Sequence, residues 1–285
     1  DFIPFHAKGS PRVVDGHVRM NIGVQVNNIS EGFAAVASYP QYKKLPIIIG
    51  ESDPEGCAAC SVRYNPQNAY RNGTMYSSYT AATYARTYEL AKMYDVNIQG
   101  AVSWAFEYED QEWFAGFRDM ATNGIDKPVL NTLRMFGQMK GDFLTVNASR
   151  KISVEDIIAN SVRVDEDINA LASASDNSIA VMVWNYHDDD EIVEPADIEV
   201  LVNSIGTDRV YVQHYRIDEN HSNSYAVWKS MGSPQNPTPE QYDILEKSGK
   251  LELLSPGYWT KVDNGSLKFD FTLSRQGISL IKLTW

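Results

Sequence analysis

The segment LPIIIGESDPEGCAAC, residues 45–60, holds the side chain with the clearest chemical potential, Glu51. An apolar run at residues 47–49 stops at Gly50, and Glu51 begins a polar stretch rich in glycine and proline. Such a run is typical of a parallel strand buried on both faces, and the loops after such strands often carry functional groups. The pattern therefore predicts a carboxylate delivered to an active site, although a loop charge or a helix cap would have the same spacing.

The same segment contains both cysteines of the chain, Cys57 and Cys60, in a CAAC spacing. A metal site would need a second pair of ligands, and a redox motif would need a thioredoxin-like strand followed by a helix. The sequence offers neither. We therefore interpret the pair either as a disulfide that fixes the loop or as two packed thiols, and we expect no metal and no cofactor.

The composition limits the classes of ligand. The 285 residues are 43% hydrophobic and 22% charged, as in ordinary globular proteins, and the formal net charge is -12. Proteins that bind nucleic acid through phosphate contacts usually carry a basic patch, and the sequence shows none. The chain also lacks an apolar stretch of the roughly 20 residues that a membrane span needs. We expect a saccharide or another small molecule as the ligand, with no nucleic-acid or membrane partner, and the compartment stays open.

Up to about residue 140, apolar runs alternate with stretches of helical spacing. The expected order is a strand at residues 1–5, a helix at 30–37 with Ser30 as N-cap, the strand ending at Gly50, a helix at 77–94, a buried strand at 99–106, and a helix from Pro128 to Met139. Polar groups follow the strands, which is the pattern of a parallel α/β barrel seen at its carboxyl-terminal rim.

From about Gly141 the pattern changes to short runs rich in Val, Ile and aromatic residues, separated by turn residues. These runs lie at residues 179–186, 198–202, 209–217, 250–254, 267–273 and 278–285, and they predict an antiparallel β-sandwich. Thr238 and Pro239 predict the start of a single inserted helix.

His187 and the three aspartates after it are interpreted as a solvated hairpin rather than a metal cluster. The fold class is thus α/β plus all-β, with domains at 1–142 and 143–285.

Several separated motifs occur in an order that resembles the carboxyl-terminal portion of glycoside hydrolase family 39, the family of β-xylosidases and α-L-iduronidases. They are DFIPFHAKG, PIIIGESDPEGCAAC, VSWAF, GIDKPVLNTLRMFGQM, VWNYHDDD and HYRIDENHSNSYAVWKSMGSPQNPTPEQY. The resemblance covers nearly the whole chain and is nearest to bacterial β-xylosidases. It implies that residues 1–142 form the last three strands of a (β/α)8 TIM barrel, followed by the β-sandwich.

In the clan to which this family belongs, the acid/base glutamate follows an asparagine after the fourth barrel strand, and no such element can be placed in this sequence. Three barrel strands alone would also leave open edges. We therefore expect the first five strands, with the acid/base residue, to come from another chain or from a missing segment. The isolated chain is expected to be inactive.

The resemblance also implies roles for individual side chains. Glu51 corresponds to the nucleophile after the seventh strand, His6 is a candidate donor to it, and Trp104 corresponds to a platform under the sugar ring. Lys8 departs from the aromatic residue expected two positions after the histidine. Asp53 and Glu55 are interpreted as acids that structure the loop. The further candidates for holding substrate are Lys8, Glu109, Asp110, Gln111 and Glu112.

Three functions follow as hypotheses. The first is a retaining exo-glycosidase, a β-xylosidase that releases xylose from xylo-oligosaccharides. The second keeps the mechanism but changes the sugar to a uronic acid, galactose or glucose, and Lys8 makes uronate recognition worth testing. The third is a non-catalytic carbohydrate-binding or structural fragment, which the missing acid/base residue would favour.

Overall fold

The computed structural model describes residues 1–106 and 110–285. Its first half alternates strands and helices, confirming the mixed α/β character predicted from the sequence. In chain order the elements are β1 (Ile3–Lys8), β2 (Arg12–Val14), β3 (His17–Arg19), α1 (Ile22–Ala37), β4 (Pro46–Asp53), a 3₁₀ helix (Pro66–Asn72), α2 (Thr74–Tyr94), β5 (Asn97–Ala101), β6 (Ala121–Thr122), β7 (Ile125–Asp126) and α3 (Pro128–Gln138).

Strands β1, β4 and β5 form a parallel sheet in that order, with β4 at its centre. Ile47 and Ile49 of β4 are fully buried, as expected for a central strand packed against helices. Since β1, β4 and β5 run in the same direction, their carboxyl-terminal ends meet at one edge of the sheet. This edge receives the side chains of β1 and β4 that carry charge.

Helix α1 corrects one prediction. It begins at Ile22, eight residues before Ser30, so Ser30 lies inside the helix, and its hydroxyl is 2.8 Å from that of Tyr94. Ile22, Val26 and Ile29 are buried at helical spacing, so the apolar face already starts at the first turn. The helix therefore begins where its packing face begins.

The buried run at residues 99–106 is a second correction. Strand β5 ends at Ala101, and Val102, Trp104 and Phe106 are exposed. Beyond Ala101 the backbone N–H of Val102 still donates to the carbonyl oxygen of Ile49, whereas the Trp104 N–H donates to a carboxylate oxygen of Asp53, at 3.3 Å. The run at residues 99–106 therefore forms the end of a short strand, followed by an exposed aromatic segment.

The second half of the chain is mainly antiparallel sheet, as predicted. Its elements are β8 (Asp142–Phe143), α4 (Val154–Asn160), β9 (Asp167–Ser175), β10 (Ser178–Tyr186), β11 (Ala196–Val202), β12 (Arg209–Ile217), α5 (Ser224–Ser230), α6 (Pro239–Gly249), β13 (Glu252–Leu253), β14 (Tyr258–Lys261), β15 (Leu267–Leu273) and β16 (Ile278–Thr284). Helix α6 has the predicted Thr238 cap, completed as a capping box by Gln241. Strand β9 was missed because its alternation is interrupted by small and polar residues.

A seven-stranded sheet runs in the order β13-β12-β16-β10-β9-β8, with β14 also paired to β12, and β11 pairs with β15 in a second sheet. Residues of both sheets, such as Ile198 and Val183, share one apolar core. Another core joins α1, α2 and β4 to the opposite face of the large sheet, where Tyr79 packs edge-on against Tyr186. No helix in the two described ranges is long and apolar enough to span a membrane.

The segment HDDD, residues 187–190, was expected to be a solvated hairpin, and this is wrong. His187, Asp188 and Asp189 are buried. Asp189 pairs with both His17 and Arg19 of β3, and Asp188 accepts from the hydroxyl of Tyr186 and from the backbone N–H of Ile22 at the start of α1. The acidic run therefore ties the large antiparallel sheet to the first half of the chain, because buried carboxylates need such partners.

A buried ion pair makes a similar connection between α2 and β9. Arg86 donates to Asp167 at 2.7 Å, and the same carboxylate accepts from the indole N–H of Trp184 at 3.1 Å. We expect Asp167→Ala to lower the free energy of unfolding by about 3–5 kcal/mol, because it removes the buried carboxylate that pairs with Arg86 and leaves the guanidinium only the more distant, partly exposed Glu89 at 3.3 Å. Urea denaturation measures the loss, with the exposed Asp176→Ala as the control. A loss below about 1 kcal/mol would contradict the assigned role.

Candidate active site

Glu51 lies at the carboxyl-terminal end of β4, beside the end of β1. In the parallel register His6 is opposite Glu51 and Lys8 is opposite Asp53, after an irregularity between Phe5 and His6. Because side chains alternate along a strand, Glu51 and Asp53 point to the same side of β4, as do His6 and Lys8 of β1. Two acids and two bases are thereby gathered at one corner of the sheet.

Lys8 is the charge partner of Glu51. The Lys8 ammonium nitrogen lies 2.7 Å from Oε2 of Glu51, whose side chain is only 10% exposed. His6 Nδ1 lies 3.6 Å from Oε1, beyond hydrogen-bonding distance, and the imidazole is 58% exposed. Within this structure the residue that departs from the expected family pattern therefore stabilises the carboxylate charge, and the His6 ring faces the open side of the site.

Asp53 connects the site to its surroundings. Its fully buried carboxylate accepts from Lys8 at 2.7 Å, from Arg118 at 2.8 Å and from the hydroxyl of Ser103 at 2.5 Å, in addition to the Trp104 N–H. Arg118 also donates to the carbonyl oxygen of Trp104 and to that of Glu55. One carboxylate thus positions the ammonium beside Glu51 and the backbone of the exposed tryptophan.

Arg118 is a site residue that no pattern in the sequence identified. It is buried, yet it lies 65 residues from Asp53, and no local pattern distinguishes it from a surface arginine. A buried arginine in an acidic, aromatic segment needs a carboxylate partner. Which carboxylate it pairs with emerges only once the segment folds back over the end of β4.

The loop after Asp53 is held by a second arginine. Cys57 and Cys60 form a disulfide, which settles the choice left open by the sequence. Arg71, fully buried, pairs with Glu55 and donates to the carbonyl oxygens of Cys57 and Cys60, and Glu55 also accepts from the Cys57 N–H. Glu55 therefore structures the loop, which gives the end of β4 a rigid continuation.

Neutral hydrogen bonds support the other side of the site. Burial raises the pKa of Tyr79 well above its ordinary value, so its hydroxyl keeps its proton and donates to Gln25 at 2.6 Å. The Gln25 amide in turn donates to the hydroxyl of Ser52, next to Glu51, at 3.0 Å. Burial, reinforced by the charge of Asp53, likewise raises the pKa of Tyr76. The tyrosines behind Glu51 thus act as hydrogen-bonding groups and not as anions.

Trp104 presents an apolar surface near this corner. Its side chain is 50% exposed, and its ring stacks against that of Phe106 with centroids 5.6 Å apart and an angle of 27° between the planes. An exposed indole of this kind can pack against the C–H face of a sugar ring. The backbone of Trp104 is bonded to Asp53 and Arg118, which connects the segment that carries this ring to the end of β4.

The remaining candidates are less constrained. Asp110, Gln111 and Glu112 are exposed, and the Gln111 carbonyl accepts from the amide of Asn123 at 3.4 Å. Glu109 lies outside the described residues. Throughout residues 1–106 and 110–285, no group of three or more His, Cys, Asp or Glu side chains is arranged to hold a metal ion.

The arrangement sets one carboxylate, that of Glu51, beside a cation. Lys8 stabilises its negative charge, and 10% of the Glu51 side chain stays exposed at the end of the strand. Asp53, by contrast, is inaccessible to a ligand, because it is fully buried and its oxygens are occupied by two cations and a hydroxyl. A carboxylate in this position can serve chemically as a nucleophile or stabilise a developing positive charge.

Comparison with known proteins identifies the family of the chain. The sequence profile of the family described as glycosyl hydrolases family 39 matches residues 1–257. The chain belongs to this family. A β-xylosidase from Caldicellulosiruptor saccharolyticus is 24% identical to this family 39 chain over 159 residues, which are 55% of the chain and 29% of that enzyme.

Solved structures show the same fold. The family 39 enzyme from Xanthomonas axonopodis pv. citri has a TM-score of 0.75 at 14% identity, and a β-xylosidase from Caulobacter crescentus CB15 has 0.72 at 16%. A bacterial orthologue of human α-L-iduronidase reaches 0.79 at 16%. Each comparison covers 100% of this family 39 chain but only 55%, 56% and 49% of the other protein. The chain thus spans about half the length of these structures, and identities this low establish the fold alone.

Proposed function

We propose that the protein supplies the nucleophile of a retaining exo-glycosidase, a β-xylosidase acting on xylo-oligosaccharides. The observation that carries this proposal is Glu51 at the end of a central parallel strand, paired with Lys8 at 2.7 Å. Family membership and the β-xylosidase relative support it. Trp104 supplies the platform for the sugar, and His6 is placed to contact substrate from the exposed side of the carboxylate.

In the first step, a carboxylate oxygen of Glu51 attacks the anomeric carbon. The bond from that carbon to the leaving oxygen breaks, and a second carboxyl group protonates the leaving oxygen. Water then attacks the anomeric carbon of the ester intermediate, giving its proton to the second group and releasing Glu51. Two displacements at one carbon return the original configuration.

We assign the second carboxyl group to residues outside this chain. Retaining enzymes hold the two groups about 5–5.5 Å apart, and Asp53 is too enclosed by its partners for that role. In this proposal β1, β4 and β5 are the sixth, seventh and eighth strands of a (β/α)8 barrel within residues 1–142, and residues 143–285 form the accessory sandwich. The chain without the other strands would then be inactive.

The substrate is tested by assaying the complete enzyme on a panel of aryl glycosides. The β-xyloside should have the highest kcat/KM among the xyloside, glucoside, galactoside and α-L-iduronide. A preference for another sugar would replace xylose while keeping the mechanism. Binding without hydrolysis of any member would favour the non-catalytic carbohydrate-binding alternative.

Lys8 provides a specific reason to keep the uronide alternative. An ammonium has three donors, and two of them are directed at Glu51 and Asp53, so one remains for a ligand carboxylate. The side chain is also partly exposed. A uronic acid bound beside Glu51 could therefore meet a positive charge, and the structure related to α-L-iduronidase has this fold.

Replacing Lys8 distinguishes the xyloside hypothesis from the uronide hypothesis. For a xylosidase we expect Lys8→Met to lower kcat on the xyloside by about 100-fold with little change in KM, since the substrate itself is uncharged. For a uronidase the same change should raise KM for the uronide selectively. Lys44→Met, on the surface and paired with Asp95, is the control and should leave both constants unchanged.

A further inference from the structure

The large antiparallel sheet carries a second aromatic surface, on strands that do not contribute to the Glu51 site. Trp259 of β14 is 53% exposed and lies directly opposite Tyr211 of β12. Their ring centroids are 5.5 Å apart, with 52° between the planes. A Cβ atom at Gly257 would come within 2.4 Å of the Tyr211 hydroxyl oxygen, so glycine at this position permits the tyrosine to lie against the chain.

The strand register continues this aromatic pair into a row of hydroxyl groups. Tyr211 is opposite Thr284 of β16, Thr284 is opposite Ser178 of β10, and Ser178 is opposite Ser175 of β9. Directly opposed residues share one face of a sheet. With neighbouring strands about 4.8 Å apart, the row from Trp259 to Ser175 crosses four strand intervals and extends over about 19 Å.

Cations flank this row on the same face. Arg209 and Lys261 are opposed to each other two positions along the strands from the aromatic pair, and the Arg209 guanidinium lies 5.1 Å from the centroid of the Trp259 ring. On the other side of the row, Gln213 is opposed to Lys282. Among the described residues, Arg209, Lys261 and Lys282 have no carboxylate within ion-pair distance. Three positive charges without acidic partners are notable in a chain with a net charge of -12.

We propose that this surface, defined by Trp259, Tyr211, Arg209, Lys261, Thr284 and Lys282, binds a polysaccharide that carries uronate groups. The indole and phenol rings pack on the C–H faces of successive sugars, and the hydroxyl and amide side chains bond to sugar hydroxyls. Arginine and lysine pair with the uronate carboxylates. The site holds polymer on the antiparallel half of the molecule, separately from the residues that we assign to hydrolysis.

Charge and surface chemistry distinguish this ligand from two others. A neutral glycan would use the aromatic rings but would leave the cations without partners. A nucleic acid would also meet aromatic and cationic groups, but the strongly negative chain lacks the extended basic field that such binding requires. A polymer with occasional carboxylates among many hydroxyls matches both the hydroxyl row and the cations beside it.

Affinity electrophoresis tests the proposal directly. The protein carries Glu51→Gln, so that hydrolysis does not remove the probe, and migrates through native gels containing 4-O-methylglucuronoxylan, unsubstituted xylan or single-stranded DNA. We expect retardation by glucuronoxylan at least about tenfold stronger than by unsubstituted xylan, and weaker retardation at high salt. Trp259→Ala should weaken binding about tenfold, and Arg209→Gln with Lys261→Gln should remove the preference for the acidic polymer.

Tyr258→Ala is the matched control, because Tyr258 is 47% exposed on the opposite face of the same strand. It should bind like the parent protein. Trp259→Phe should retain much of the affinity, and equal melting temperatures exclude unfolding as the cause of any loss. The proposal is overturned by absence of retardation, by equal retardation in unsubstituted xylan, by stronger retardation in DNA, or by equal losses in the Tyr258 and Trp259 variants. Since the Glu51→Gln background abolishes the proposed hydrolysis, failure here leaves the hydrolytic assignment untouched.

Discussion

Glu51→Gln is expected to lower kcat/KM of the complete enzyme on an aryl β-xyloside by at least about 10⁴-fold, with the folded structure unchanged. The amide keeps the shape of the side chain but cannot form the covalent intermediate. It also leaves Lys8 with one carboxylate partner, Asp53, which suffices to satisfy the ammonium. Steady-state kinetics measure the loss. The control is Glu194→Gln, an exposed glutamate in the loop before β11.

Chemical rescue shows whether activity is lost because the nucleophile is missing or because the fold is damaged. In Glu51→Ala, azide can enter the vacated space, attack the anomeric carbon and displace the aryl oxide. This single displacement yields a glycosyl azide of inverted configuration, in contrast to the retained product of the parent enzyme. Recovery of activity without azide incorporation, or a product of retained configuration, would remove Glu51 from the nucleophile role.

Asp53→Asn is expected to have the second largest effect, on both activity and stability. The substitution removes the buried charge that pairs with Arg118 at 2.8 Å and leaves the guanidinium only Glu55, at 4.0 Å, as an anionic partner. We expect a loss of about 3–5 kcal/mol in the free energy of unfolding. We also expect kcat to fall by about 100-fold, because the charged acceptor that positions Lys8 and the Trp104 backbone is replaced by a neutral amide with a single acceptor oxygen. Denaturation and kinetics are measured on the same preparation.

A double variant tests whether Asp53 acts on the reaction or only on the fold. In Asp53→Asn/Arg118→Met both buried charges are absent, so much of the lost stability should return. The kcat should stay low, because the acceptor for Lys8 is still changed. If activity recovered together with stability, Asp53 would have only a structural function.

The sequence predicted those parts of the site that lie next to a distinctive local pattern. The apolar run that ends at Gly50 and Glu51 predicts a strand end, because a parallel strand buried on both faces needs a continuous apolar run. Lys8 was identified as a departure from the expected aromatic residue, but its contact with Glu51 depends on the register between β1 and β4. That register follows from packing across the sheet and cannot be derived from either strand alone.

Ion pairs between residues far apart in the chain are the main feature that the sequence did not predict. Arg118 and Asp53 are joined across 65 positions, and the acids near His187 pair with β3 and with the start of α1. Asp53 was interpreted as an acid that structures the loop and the acids near His187 as a solvated hairpin, and nothing marked Arg118 as buried, since aspartate and arginine usually lie at the surface. The fold buries them together. In the same way, Ser30 has the chemistry of a helix cap, but the apolar face of α1 extends the helix past it.

The measurement closest to the central claim is the mass of the trapped intermediate. An aryl 2-deoxy-2-fluoroxyloside forms the glycosyl-enzyme but slows its hydrolysis, so the complete enzyme should gain one 2-fluoroxylosyl group. Peptide mapping should then place that group on Glu51. A group on any other residue, or complete inactivation without a covalent adduct, would contradict the assignment of Glu51 as the nucleophile.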